Sequence, residues 1–162
     1  MPPVPQQHVA KPTPSVVAPN WISKDRPRFE AFTFTRTPSG QCSAEVVLEL
    51  DGRRGSGRAT GASSPLGDLR ISAEACIRAL DDLMASGRRF ELVGVKHVRA
   101  FDANLAVVSI SQLVAGVQGK PESRLVGCYL AEHDVCRAVA IAVLNATNRV
   151  IESPPGWPEN PS

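Results

Sequence analysis

Two periodicities alternate along this chain, and they change places three times. Over Phe32-Thr33-Phe34-Thr35, and again over Glu45 to Leu50, apolar and polar residues alternate. A period of two puts Val46, Leu48 and Leu50 on one face of a strand and Glu45 and Glu49 on the other. Thr37-Pro38-Ser39-Gly40 supplies turn chemistry between these runs, and Asp51-Gly52 is a strong hairpin signal. A polar third strand, roughly 54–62, carries Gly55, Gly57 and Gly61. Glycine weakens a strand but lets another backbone approach closely. The period then lengthens. Leu69, Ala73, Ile77, Leu80 and Met84 recur every three or four residues, which predicts a helix from Pro65 or Asp68 to Met84. Ser64 is its expected N-cap, Pro65 suits the first turn, and Ser86-Gly87 ends it.

The second half repeats this order. Phe90 to Phe101 reads as a long strand, 102–104 as a turn, and Leu105 to Leu113 as a strand with Ala106, Val108 and Ile110 on one face. A loop around 116–121 leads into a strand over Arg124 to Tyr129. A helix from about His133 to Ile151 then buries Val135, Val139, Val143, Ala146 and Val150. The predicted fold is α+β: two pseudo-symmetric β-β-β-α units, an antiparallel sheet with helices packed on one side.

The halves also echo one another by residue. Arg58, Gly61, Asp68, Leu69, Ala73, Ile77 and Leu80 recur 66 positions later, without a gap, as Arg124, Gly127, Asp134, Val135, Val139, Val143 and Ala146. Phe29 to Phe34 is echoed by Phe90 to Val95. Two copies of one unit can bury a shared apolar face that neither buries alone. The last helix is thin, with Ala138, Ala140, Ala142 and Ala146, and is expected to pack closely on the first helix or on a second subunit.

Composition narrows the picture. A chain of 162 residues holds one domain with a real core, and 43% hydrophobic with 21% charged residues is ordinary for a soluble protein. A net charge of +2 argues against a nucleic-acid partner, which favours a basic face. No apolar run approaches the roughly 20 residues of a membrane span. Half of the 14 prolines fall in the first 28 residues, and Pro154, Pro155, Pro158 and Pro161 crowd the end. The expected division is a disordered Pro-rich tail over 1–28, the doubled domain over 29–151, and a second Pro-rich tail over 152–162. The proline-broken N-terminus lacks the apolar core of a signal peptide, so a cytoplasmic protein is expected. Trp21 and Trp157 lie in the tails, each able to dock on the domain or to anchor a partner.

Candidate chemistry is sparse. Cys42, Cys76, Cys128 and Cys136 show no C-x-x-C spacing and read as small buried hydrophobes. His8 is in the tail, His97 reads as a surface histidine in a strand, and His133 stands beside Glu132 and Asp134 at a helix start, as capping groups do. The stretch from Gly52 to Gly61 lacks the lysine-serine ending of a phosphate loop and reads as a solvated strand with basic side chains on its exposed face, the alternative being that Arg53, Arg54 and Arg58 attract an anion. Asp81 and Asp82 point about 100° apart on a helix and read as a solvated end. No cofactor or metal is expected. What remains is a pair of strand-to-helix junctions, Gly61 to Asp68 and Gly127 to Asp134. Free backbone N–H groups at helix starts hold anions, and two such junctions related by pseudo-symmetry frame one small pocket or simply cap two helices. The candidate ligand-binding residues are Gly61, Ser63, Ser64, Asp68, Gly127, Cys128, Glu132 and Asp134.

Gly127-Cys128-Tyr129-Leu130-Ala131-Glu132-His133-Asp134-Val135, then Ala138, Ala142 and Leu144 to Arg149, resembles the end of the C-terminal regulatory domain of 2-isopropylmalate synthase. In the first half, Gly57 to Gly61, Ala73-Glu74-Ala75 and Ala79-Leu80 resemble its Gly-rich turn and helix elements. The resemblance spans about 29–151 and implies a doubled β-β-β-α fold, a homodimer, and leucine sensing near the glycine-bearing loops. It departs at Ala62 to Gly67, where the family has a compact Gly-Pro-Val-Asp turn, and at Tyr129 and Leu130, where the family has small residues. The synthase's catalytic barrel is absent, so its activity is not implied. The expected function is a non-enzymatic regulatory module, a homodimer binding a small amino-acid-like metabolite. The alternative is a structural adaptor that recruits a protein partner through its N-terminal tail.

Overall fold

The computed structural model describes residues 26–84, 88–114 and 123–152. The tails with Trp21 and Trp157, Ser86-Gly87 and the 116–121 loop lie outside the described residues. The elements run β1 (Arg28–Arg36), β2 (Gln41–Leu50), β3 (Arg53–Ala62), α1 (Pro65–Leu83), β4 (Arg88–Ala100), β5 (Ala103–Val114), β6 (Ser123–Leu130) and α2 (Val135–Glu152). This is the β-β-β-α unit twice, an α+β fold. The strands form two separate antiparallel sheets, β1-β2-β3 and β4-β5-β6, each with its middle strand central.

Each helix lies on its own sheet, α1 on β2 and β3 and α2 on β5 and β6, and the two helices pack on one another. The inward faces of the central strands supply the core: Ala44, Val46 and Leu48 on β2, and Ala106, Val108 and Ile110 on β5, are fully buried. They meet Ala73, Cys76 and Leu80 from α1 and Val139 and Val143 from α2, also with no exposed surface. Alternation set the strand faces, and the three-to-four spacing set the helix faces.

The repeat is real, but its spacing is not uniform. Val46 and Val108 hold equivalent places in the central strands, 62 positions apart, each opposite a glycine of the third strand. Those glycines, Gly57 and Gly127, are 70 positions apart. A Cβ on Gly57 would run into the Ala75 carbonyl and the Ala79 amide, and one on Gly127 into the Ala142 carbonyl and the Ala146 amide, so the helices correspond at 67. The gapless spacing of 66 therefore falls among these values and equals none of them. The counterpart of Gly127 is Gly57, not Gly61. Even the irregularities repeat: β1 bulges between Phe29 and Ala31 and β4 between Leu92 and Gly94, 63 positions on.

The glycine-rich stretch of β3 has a packing explanation. Gly55, Gly57, Ala59 and Gly61 face inward, opposite Leu48, Val46, Ala44 and Cys42. Only the smallest residues let α1 lie against this strand. Arg54 and Arg58 point away, bonded to Glu30 and Ser43. The second hairpin turns at Phe101-Asp102, one residue earlier than expected. Both residues are left-handed (φ 50° and 59°), as a two-residue I′ turn requires.

Candidate functional site

The two strand-to-helix junctions are built differently. In the first, the Ser64 side chain accepts from the Gly67 amide and caps α1. Asp68, only 5% exposed, then turns inward. It accepts from Arg36 Nε at 2.9 Å and Nη2 at 2.6 Å, and from Ser63 Oγ at 2.8 Å. Arg36 lies at the end of β1 opposite Cys42, on the same inward face as Phe32 and Phe34. A cation on that apolar face was the sequence signal that it has a buried partner. Burial by itself raises the Asp68 carboxyl, but the hydrogen bonds from Arg36, Ser63 and Cys42 outweigh it and hold the group below its ordinary value.

The sign of the resulting pH dependence follows. A depressed folded-state value means that the folded protein binds fewer protons than the unfolded chain. Asp68 thus stabilises the fold above the ordinary carboxylate value of about 4, and this contribution is lost as pH falls through the folded value. D68N is expected to lower stability at neutral pH and to flatten the acid limb. Urea midpoints at a series of pH values check this, and parallel acid limbs in both proteins would contradict it.

Among the described residues, the second junction lacks a counterpart to that ion pair. Asp134 caps α2, its Oδ1 accepting from the Arg137 amide at 3.0 Å and its carbonyl from the Ala138 amide at 3.0 Å. The strand end is tied down by the Ala131 amide on the Asn104 carbonyl at 2.8 Å, and by Asn145 Nδ2 on the Cys128 carbonyl at 2.9 Å. Here a cleft of about 630 Å³ opens, lined by Leu105, Cys128, Tyr129, Leu130, Glu132, His133, Asp134, Arg137 and Ala138. The Arg137 guanidinium also sits 5.3 Å from the centre of the Phe29 ring. A smaller cleft of about 360 Å³ lies where the helix starts meet, with Arg36, Pro65, Leu66, Asp68, Leu69, His97, Val135 and Cys136 around it.

The eight sequence candidates therefore divide. Cys128, Glu132 and Asp134 share the larger cleft. Asp68 borders the smaller one, with Ser63 bonded behind it and Ser64 spent as a cap. Gly61 and Gly127 are packing residues. A Cβ at Gly61 would come within 2.9 Å of Ile71 Cδ1, and the inward face of Gly127 is filled by α2. The reading of Gly127 as an opening for a ligand is corrected accordingly. The two clefts are distinct: the larger takes residues from the second helix start only, and the smaller takes residues from both. Sequence reasoning missed Arg137, one helical turn beyond His133, and Tyr129 and Leu105, which strand pairing brings to the same place.

Cys42, Cys76 and Cys136 are buried, whereas Cys128 is exposed, contrary to the sequence reading of that residue. Burial pushes the Cys42, Cys76 and Cys136 thiols up, which disfavours the nucleophilic thiolate. Among the described residues no three His, Cys, Asp or Glu side chains group as metal ligands, and no hydrogen bond joins the Cys128 thiol to His133. No helix among them is long and apolar enough to cross a membrane. No family model matches this chain, and no curated protein matches it either.

Proposed function

We propose that this domain is a non-enzymatic regulatory module, a homodimer that binds a small amino-acid-like metabolite in the cleft between the end of β6 and the start of α2. The observation that carries the reading is the mixed lining of that cleft. Arg137 offers a planar cation for a carboxylate, Glu132 and Asp134 offer anions for an ammonium group, and Leu105, Leu130 and Ala138 offer apolar walls. Tyr129 adds an aromatic body with a polar tip. Opposite charges on an apolar floor suit a zwitterion with a side chain.

A thermal-shift panel of the common amino acids tests this. A ligand that binds only the folded state stabilises it by RT ln(1 + [L]/Kd), about 2.7 kcal/mol at a hundredfold excess over Kd. One or a few amino acids are expected to raise the melting temperature. R137A and E132Q should each remove the shift while leaving the unliganded melting temperature within about 2 °C, because both residues lie near the surface. A flat panel overturns the reading. A shift that survives both substitutions places the ligand elsewhere.

The adaptor reading draws support from a different observation, the fully exposed Phe101 at a hairpin tip. It calls for a protein surface, not a metabolite.

A further inference from the structure

The two sheets are copies of one scaffold, so each is a control for the other. Their faces directed away from the helices differ in kind. In the first sheet, successive cross-strand rows read Thr35-Ser43-Thr60, Thr33-Glu45-Arg58 and Ala31-Val47-Ser56. The first two rows are polar, with Arg58 Nε donating to Ser43 Oγ across the strands, and the third is mixed. In the second, the equivalent rows read Val98-Leu105-Leu130, Lys96-Val107-Cys128 and Gly94-Ser109-Val126. Val126 is 66% exposed and Leu130 49%. Scattered exposed apolar residues need no explanation, but a contiguous sheet face whose internal twin is more polar does.

We infer that the outer face of β4-β5-β6 pairs with the same face of a second copy of this chain, around a two-fold axis running along β5. The axis follows from what the face carries. Rotation about β5 lays β4 of one copy over β6 of the other and keeps each row in register with itself. Gly94, whose missing side chain leaves open space, then meets the exposed Val126, a hole against a knob. In the next row, Glu91 and Arg124 flank Ser111 on opposite edges, so each meets its opposite charge across the interface. Val98 meets Leu130. Lys96 is the one charge in the three inner rows, so two identical faces bring little like charge together.

The area is adequate. With strands ~4.8 Å apart and a rise of ~3.4 Å per residue, the face projects to about 550 Å² over the length of β5. Side-chain relief raises the accessible area above this projection, toward the ~800 Å² per partner of a stable complex. The alanines of α2 do not provide this contact. Ala138, Ala140, Ala142 and Ala146 are at most 4% exposed within a single chain, so the helix face expected to dimerise is already used.

This inference rests on the homodimer reading, and the face adjoins the proposed ligand cleft, because Leu105, Cys128 and Leu130 belong to both. Light scattering of the full chain at tens of micromolar is expected to give twice the 17.3 kDa protomer mass. A 17.3 kDa species throughout would overturn both the homodimer and this face. V107E and V126E change outward residues that do not line the cleft, and each should give a monomer with an unchanged far-UV circular dichroism spectrum. Dimers that persist in both would leave the homodimer standing and sink the face. V126E, on an edge strand, keeps the test open should V107E fold poorly. The axis has its own test. E91R and R124E should each weaken association at least about tenfold, and the double variant should recover it. A double variant as weak as the singles would reject the axis.

Discussion

Replacing Gly127 by valine is expected to unfold the second unit, and Gly57 to valine the first. At both positions a single Cβ already falls inside contact distance of a helix carbonyl oxygen and a helix amide nitrogen. The obstacle is backbone within a buried helix, so no side-chain rotation relieves it. Overpacking a core costs about 1–3 kcal/mol when side chains can adjust, and here a helix must lift off its sheet. G57A and G127A are expected at the upper end of that range, a fall of about 10 °C in melting temperature, and the valine variants well beyond it. Thermal melts of the four variants check this. A G127V protein that folds normally would show that α2 does not lie on β6 as described. Had Gly127 served a ligand, the same substitution would have spared stability, so one melt separates the two roles.

Val139 to aspartate is expected to leave the protein insoluble or unfolded. Val139 is completely buried in the second turn of α2. An unpaired carboxylate there costs several kcal/mol, or takes up a proton to escape part of that cost. Against a typical total stability of about 5–15 kcal/mol this consumes much of the margin. V139A, which removes volume without adding charge, should fold with a smaller loss. Soluble yield and urea midpoints separate the pair. Equal midpoints for V139D and wild type would mean that the buried face of α2 is wrongly placed.

The larger cleft shows what sequence order conceals. Glu132 and Asp134 are close in sequence, and their place beside a helix start was legible from the cap signals. Arg137 joins them because a helix returns to the same side after a turn. Leu105 joins them through the pairing of β5 with β6 opposite Leu130. That register is fixed by which residues are buried, a property of the whole sheet and not of any short segment. The pairing of the buried Asp68 with Arg36, 32 positions away, was out of reach for the same reason, although an arginine on an apolar strand face marked where to look.

By itself the amino-acid sequence determined the element order, the inward faces of the strands and helices, the cap at Ser64, and the doubling of the unit. These are local matters: periodicities of two and 3.6, turn residues and caps act over a few positions. Tertiary structure decided the rest. It split the strands into two sheets, because hydrogen-bond pairing chooses among strands of similar pattern. It turned one repeat spacing into four, because loops and helix starts of different length are absorbed between fixed contacts. It assigned Gly57 and Gly127 to packing, because what a missing Cβ makes room for depends on the helix that crosses it. It also left one sheet face more apolar than its twin, and that contrast becomes visible only when residues far apart in the chain lie in a single row.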